Sequence, residues 1–501
     1  MRVLIFVDDV LNATFGVPLE LSVQHLAAGD SVDLVVCRGA LFACPSNSRH
    51  DGLACRLCRS RLDSALSAPA LSGVRVHEVT FSEEDLKFDE PVFSTVDDLK
   101  KFEVDGVNLG FGAASSVVTV LIDPRPDLRK ERELVSNNLR TSVGLYRWFK
   151  RHLPMFRPDR IYLFNGRRSS QMPLVRLAQE AGIEFVTYEM GHSSDKYILV
   201  RGTYFHDLER KKKDMVALWE RAASEPQRRE ELAVRFYNDR RYGSGRNFPE
   251  AKFKEHQAKG LLPPDFSREE RNIVIFNSSE FEFIAVEGYD NPVYKNQMVG
   301  LEAIINDPRL DPDIRLWLRV HPHLAGLKNS QTEAIARLDR SRVRVIGAEE
   351  RIDTYALMEA AEKVVTFGST VSIEAAFAGV PSILIGRDVY EYGGSCYTPS
   401  THDEVIALLN DRNLKPLPKV GAQMFGHFMI ARDIEYRHYD PINQEIVGHP
   451  ARPSALVALA ARVRWYHPLR RLRYWISRKV KRYLPDSMVA LATRVLQSNE
   501  R

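Results

Sequence analysis

The sequence predicts an α/β protein built from two doubly wound domains. Two observations carry this. The chain opens with apolar "MRVLIFV", a helical stretch closed by Gly29 and a second apolar run, "SVDLVVC", which is a β-α-β unit and implies a parallel sheet. The same alternation resumes at "NIVIFNSSE" after a Pro-rich stretch, "GLLPPDFSREER". At 501 residues the chain has room for two cores.

Taken in order, residues 2–7 and 31–37 are strands around a helix at 18–28, and "GVRVHEVTF" adds a strand. Residues 138–153 have the spacing of an amphipathic helix. "DRIYLFNGR" is a buried strand ending in a polar loop, and "SQMPLVRLAQEAGIEFVTYEMG" gives helix, turn and strand. Residues 205–260, dense in Lys, Arg and Glu, are expected to form a solvated helical excursion. The first domain is thus 1–262, and 260–271 is a linker. The second domain, 270–445, contains the strands "IRLWLRV", "VRVIG", "KVVTF" and "PSILIG".

Composition excludes some functions. A net charge of +4 gives no argument for a nucleic-acid partner, and no apolar run approaches the ~18 residues of a membrane span. The N-terminus reads as a strand, not a leader, so a cytoplasmic location without disulfides is expected. Cys37, Cys44, Cys55 and Cys58 cluster, the last two as C-x-x-C. They are expected either to hold a structural zinc or to be reduced thiols in a loop.

Five loops follow predicted strands and end in polar or glycine-rich residues: Asn165-Gly166-Arg167, Glu189-Met190-Gly191-His192, Ser278-Ser279, His321-Pro322 and Gly368-Ser369-Thr370. Ligands of open α/β sheets bind beyond such strand ends. In "TFGSTVSIEAAFAGVPSILIG" the hydroxyls stand where a strand meets a helix. They either cap the helix or help hold an anion there.

Arg319-Val320-His321-Pro322, followed by Gly-Ser-Thr-x-x-x-Glu-Ala-x-x-x-Gly-x-Pro, resembles the GT-B glycosyltransferases. Within that fold it is similar to the capsule and surface-polysaccharide family that includes bacterial Kdo transferases and, more distantly, polysialyltransferases. The acidic-x-Gly, His-Pro and Ser/Thr motifs match Glu189-Met190-Gly191, His321-Pro322 and Ser369-Thr370, and "IGRDVYEYGG" resembles the family's last strand ending. The likeness spans most of 160–400. Met190 stands where sialyltransferases carry a second acid.

The resemblance implies two Rossmann-like domains around a cleft, with a nucleotide-sugar donor, a CMP-linked acidic sugar such as Kdo being favoured. The acceptor is a growing bacterial surface glycan or a lipid-linked one. Donor contacts are expected from Ser278, Ser279, Arg319, His321, Pro322, Gly368, Ser369, Thr370 and Glu374, the last toward ribose hydroxyls or, equally, as an acid favourable to the helix dipole. His321 would donate to the phosphate whose charge grows in the transition state. Glu189 would be the base, with Gly191 leaving room for the acceptor, and Asp8, Asp9 and His192 stand next in line. Asn165, Arg167 and His192 are expected on the acceptor side. No organic cofactor and no obligate catalytic metal are expected. A UDP-sugar 2-epimerase-like enzyme and a non-catalytic glycan-binding subunit are the competing readings.

Residues 446–501 form a basic tail. Between Ala451 and Pro485 there are ten Lys or Arg and no acid, with Trp465, Leu469, Leu472, Ile476, Val480 and Tyr483 at helical spacing. An amphipathic helix on an anionic bilayer is expected, which would place the protein peripherally at the inner face of the cytoplasmic membrane. A helix packed on the protein is the alternative.

Overall fold

The computed structural model describes residues 1–243, 254 and 256–448. The tail beyond 448, including its expected helix, lies outside the described residues.

The first sheet begins with β1 (Arg2–Val7), helix α1 (Gly16–Ala27), β2 (Ser31–Val36), helix α2 (Gly52–Leu66) and the exposed edge strand β3 (Arg75–Glu78). A long helix α3 (Arg132–Phe156) covers one face and leads into β4 (Arg160–Phe164), α4 (Met172–Glu180), β5 (Glu184–Met190) and β6 (Lys196–Arg201). β1 is buried from Val3 onward, so it reads as a continuous apolar run instead of an alternating one. Strand order is β3-β2-β1-β4-β5-β6, parallel except for β6, which runs antiparallel to β5.

Two helices follow, α5 (Leu208–Arg221) and α6 (Pro226–Tyr242). The second domain holds β7 (Arg271–Phe276), α7 (Gln297–Asn306), β8 (Ile314–Arg319), β9 (Val343–Ile346), α8 (Thr354–Ala360), β10 (Lys363–Thr366), α9 (Val371–Ala378), β11 (Ser382–Leu384), α10 (His402–Asn410) and α11 (Val420–Ala431). Its sheet is all parallel, in the order β9-β8-β7-β10-β11. The two-domain α/β expectation therefore holds.

Three features depart from the sequence reading. Helices α5 and α6 are not a solvated excursion of the first domain: Met215, Phe236 and Tyr237 are buried against Ile373, Tyr390 and Phe425 of the second. Many of their charged residues face outward, an apolar minority does the packing, and Asp239 and Arg240 turn inward. The stretch before β7 is no free linker, because Leu262 and Phe266 pack on the second domain's core. Finally, the chain crosses back: β12 (Ile434–Glu435) pairs antiparallel with β6, and Tyr439 and Ile446 pack in the first domain's core. Glu20, buried in α1, accepts the backbone N–H groups of Arg437, His438 and Tyr439 and pins this return. The second domain thus ends before 434, not at 445.

The expected zinc set does not assemble. Cys55 and Cys58 lie in the first turns of α2, not in a loop. The Cys37 sulfur accepts the Gly39 N–H at 3.3 Å and the Cys55 sulfur accepts from Asn47 at 3.2 Å. Burial pushes the Cys37 and Cys58 thiols up to about 11 and about 12. Among the described residues no three His, Cys, Asp or Glu side chains converge as a metal-holding group. Among the same residues no helix is long and apolar enough to cross a membrane.

Candidate active site

Both sheets change winding direction between neighbouring strands, at β1/β4 in the first and at β7/β10 in the second, and ligands of open sheets bind at such switch points. A cavity of about 170 Å³ lies there, between the domains. Met190, Gly191 and His192 line it from the first domain. Asn277, His321, Pro322, Ser369, Thr370 and Glu374 line it from the second, together with Arg240, Lys254, Gln257 and Tyr355.

His321 stands two residues beyond β8 and is held in one orientation. Its backbone N–H donates to Asn277 Oδ1 at 2.9 Å. Its Nδ1 accepts the His323 backbone N–H at 3.1 Å, and the Ser279 hydroxyl lies 3.1 Å from the same nitrogen. A nitrogen that accepts carries no proton, so in the neutral ring the proton sits on Nε2. Burial lowers the His321 pKa to about 4, which keeps the ring neutral at physiological pH. Pro322 follows in the first turn of a short 3-10 helix, where its fixed φ suits the turn.

The loop after β10 turns at Gly368, whose φ of +100° is open to glycine at little cost. Thr370 does not cap α9 with its side chain. Its hydroxyl instead accepts Arg240 Nη2 at 2.7 Å. Arg240 Nε donates to Glu374 Oε1 at 2.8 Å, and the Tyr355 hydroxyl donates to Glu374 Oε2 at 2.5 Å. The capping alternative thus fails for Thr370. The helix start is left as a polar wall of the cavity, with an Arg–Glu–Tyr network behind it.

On the first domain Glu189 is the last residue but one of β5. Its Oε2 accepts Asn165 Nδ2 at 2.5 Å and its Oε1 accepts the Met190 N–H at 3.1 Å. Burial raises its pKa above the usual carboxylate value. It stands one residue before the segment that lines the cavity. His192 lines the cavity itself, with Nε2 3.5 Å from Asp239 and its backbone N–H donating to Asp433 Oδ1 at 3.0 Å. Gly191 leaves room for the returning chain instead of an acceptor: a Cβ there would lie 2.8 Å from both Asp433 Oδ1 and Lys196 Cβ.

Several expected donor contacts do other work. Ser278 is buried and gives its N–H to Gln297 and its hydroxyl to the Phe367 carbonyl, away from the cavity. Ser279 supports His321 and does not line the cavity. Arg319 does line the cavity, as expected, while its guanidinium is also bound by the carbonyls of Gly347 and Glu350 and so anchors the loop after β9. Asn165 braces Glu189, and Arg167 reaches the Glu282 carbonyl of the second domain at 3.2 Å. Asp8, raised to about 6 by burial, is tied to Ser170 and Gln171. Asp9 is bound by Ser46 and by the Leu11 N–H. Sequence reasoning missed Arg240, Lys254, Gln257 and Tyr355. All four lie in or next to segments read as solvated or as plain helix.

Residues 290–439 match the family described as capsule polysaccharide biosynthesis protein. The segment contains the His-Pro, Ser/Thr and last-strand motifs, so over these residues the match bears out the resemblance to the capsule-polysaccharide family. No curated protein matches the chain. Among solved structures, the beta Kdo 2,4 transferase KpsC of Thermosulfurimonas dismutans is 14% identical, covering 57% of this chain and 83% of its own, at a TM-score of 0.34. The beta Kdo 2,7 transferase KpsC of the same organism is 16% identical over 60% and 85%, also at 0.34. UDP-GlcNAc 2-epimerase of Neisseria meningitidis is 12% identical over 92% and 99%, at 0.29. At these identities and TM-scores the three structures carry no argument about the reaction.

Proposed function

We propose that this chain transfers a sugar from a nucleotide-sugar donor to a growing surface glycan or a lipid-linked acceptor, with a CMP-linked acidic sugar such as Kdo as the favoured donor. The observation that carries the reading is the neutral His321, its Nδ1 occupied and its Nε2 protonated, beside the Ser369-Thr370 start of α9. A fixed N–H donor, two hydroxyls and a helix N-terminus in one wall suit a phosphate leaving group. In the proposed reaction the acceptor oxygen bonds to the anomeric carbon as the bond from that carbon to the phosphate oxygen breaks. The phosphate keeps the electron pair, stabilised by His321 and the α9 start, and the acceptor proton passes to Glu189. Burial raises the Glu189 pKa toward working pH, which favours a general base. Glu374, held by Arg240 and Tyr355, is preorganised to accept from ribose hydroxyls.

The basic tail is proposed as the contact with the anionic inner face of the cytoplasmic membrane, which would bring the cleft to lipid-linked acceptors. Its support is the run of ten basic residues without an acid.

Thermal-shift titration with CMP, UMP, UDP and GDP tests the donor site. At least one should stabilise the wild type and lose its effect in His321→Ala. Mass spectrometry of sugar nucleotides, with and without a glycan acceptor, then tests the reaction. Conversion without acceptor to an epimer would establish the epimerase reading instead, and binding without turnover would establish a glycan-binding subunit.

A further inference from the structure

Loop 122–125 reaches from the first domain into the second. It follows the helix Gly110–Leu121, and Ile122 turns the chain with a φ of +52°. The Asp123 carboxylate accepts the Ser330 N–H at 3.2 Å and the Ser330 hydroxyl, while Asn329 Nδ2 donates to the Ile122 carbonyl at 2.7 Å. Arg125 Nη1 donates to Glu280 Oε2 at 2.7 Å. The Arg125 backbone N–H donates to Asp123 Oδ1 at 3.0 Å, which ties the two grips together. Beside them Ala113, Val117 and Val118 of the helix share a core with Phe281, Ile284 and Ala285 of the second domain.

Both gripped points lead into one buried network around Ser278. Glu280 Oε1 accepts the Gln297 N–H at 3.2 Å, and the Glu280 N–H donates to Gln331 Oε1 at 3.1 Å. Gln331 is the residue after the gripped Ser330. Gln297 Oε1 accepts the Ser278 N–H at 2.8 Å. Gln297 Nε2 and Gln331 Nε2 both donate to the Ser278 carbonyl, at 3.1 and 2.8 Å. All four side chains are buried. The residues on either side of Ser278 are the ones that hold His321: Asn277 accepts its N–H, and the Ser279 hydroxyl lies 3.1 Å from its Nδ1.

The buried Glu280 charge is thus paired across the domain boundary, by an arginine that is itself 34% exposed. Without Arg125 the Oε2 atom loses its donor, and a buried carboxylate left unpaired turns toward water. Glu280 directly follows Ser279, so such a turn draws the hydroxyl away from His321 Nδ1. The charged groups that act on the ring are Glu282, in the same segment, and His323, Arg240 and Arg319. We propose that Arg125 is a positioning residue for the donor site: through Glu280 the first domain sets the orientation and tautomer of His321 without touching it. This rests on the transferase reading of His321. The donor-side histidine is then in its working orientation only with the first domain seated on the second.

Nitrogen-15 NMR of the histidine-labelled full chain, with His321→Ala to assign the signal, reads the ring directly. In the wild type His321 should show the Nε2–H tautomer and stay neutral as pH falls to about 5, above its lowered pKa of about 4. In Arg125→Met the ring should lose the fixed tautomer and titrate higher, toward the ordinary value of about 6.5. Asp123→Ala, which releases Ser330, should move the signal the same way, and Arg125→Lys should restore it. Affinity for whichever of CMP, UMP, UDP and GDP binds the wild type should fall about fivefold or more in Arg125→Met, the low end of coupling between sites. On the His321→Ala background the same substitution should change it by less than about twofold. A merely structural Arg125 would lower the melting point and leave the His321 signal alone. An unchanged signal in both folded variants, or an equal loss of affinity on both backgrounds, would overturn the proposal. If no nucleotide binds while Arg125→Met still moves the His321 signal, the transferase reading falls and the positioning role stands.

Discussion

Arg240 is the residue on which the donor wall depends most, and its removal can be worked through. In Arg240→Met the Glu374 carboxylate, 5% exposed, loses its ion pair, and Thr370 loses its donor. Breaking a buried pair from one side costs about 3–5 kcal/mol. Two features reduce that here. Tyr355 still donates to the other carboxylate oxygen, and Arg240 is itself 17% exposed, so water can reach part of the gap. A loss just below that range, about 2–3 kcal/mol, is therefore expected for the second domain. Adding Glu374→Gln removes the stranded charge, so the double variant should recover much of the loss, with a coupling energy of about 1.5 kcal/mol or more. Denaturant midpoints followed by Trp317, buried in that domain, give the stabilities. Nucleotide titration of the same four proteins should show affinity falling in every variant. A coupling energy below about 0.5 kcal/mol would refute the network, because residues that share no interaction add within that margin.

Other outcomes follow from the same geometry. His321→Ala should abolish transfer and weaken nucleotide binding about tenfold, the size of one lost charge-assisted hydrogen bond, and full activity in the folded variant would remove His321 from the donor site. Glu189→Gln should lower the transfer rate about 10²–10⁴-fold with nucleotide affinity kept, and parallel loss of both would make Glu189 a donor ligand or a structural brace. Because the raised Glu189 pKa means protonation at higher pH than for an ordinary carboxylate, kcat/KM should fall as pH drops through that raised value, and the Gln variant should lack this acid limb. Deleting residues 451–501 should release the protein from anionic liposomes and leave nucleotide binding intact, and unchanged liposome binding would place the membrane contact elsewhere.

Much of this fold was legible because its signals are local. Buried parallel strands read as apolar runs, and Asn277, His321 and Gly368 stand at their C-terminal ends, where two switch points make a cleft. The errors share one cause, which is dependence on contacts between residues far apart in sequence. "NDRRYG" reads as a charged helix end, yet Arg240 meets partners 130 and 134 residues away. Ser278 carries a chemistry-bearing side chain at the right strand end, but it turns inward, to the Phe367 carbonyl. Glycine was misread similarly: at Gly191 the space is taken by a carboxylate 242 residues on.

That last contact also explains how one cleft can be assembled from both domains. The chain leaves α11 at Arg432, places Asp433 against His192 and Gly191, and enters the first sheet as β12 beside β6. Consecutive residues thus serve two functions. Arg432 spans from Phe428 of α11 to Phe205 of the first domain, and Asp433 fixes the segment that lines the cavity opposite His321. The chain passes between the domains twice, ahead of α5 and again here, and this second passage fixes residues on both sides of the cleft.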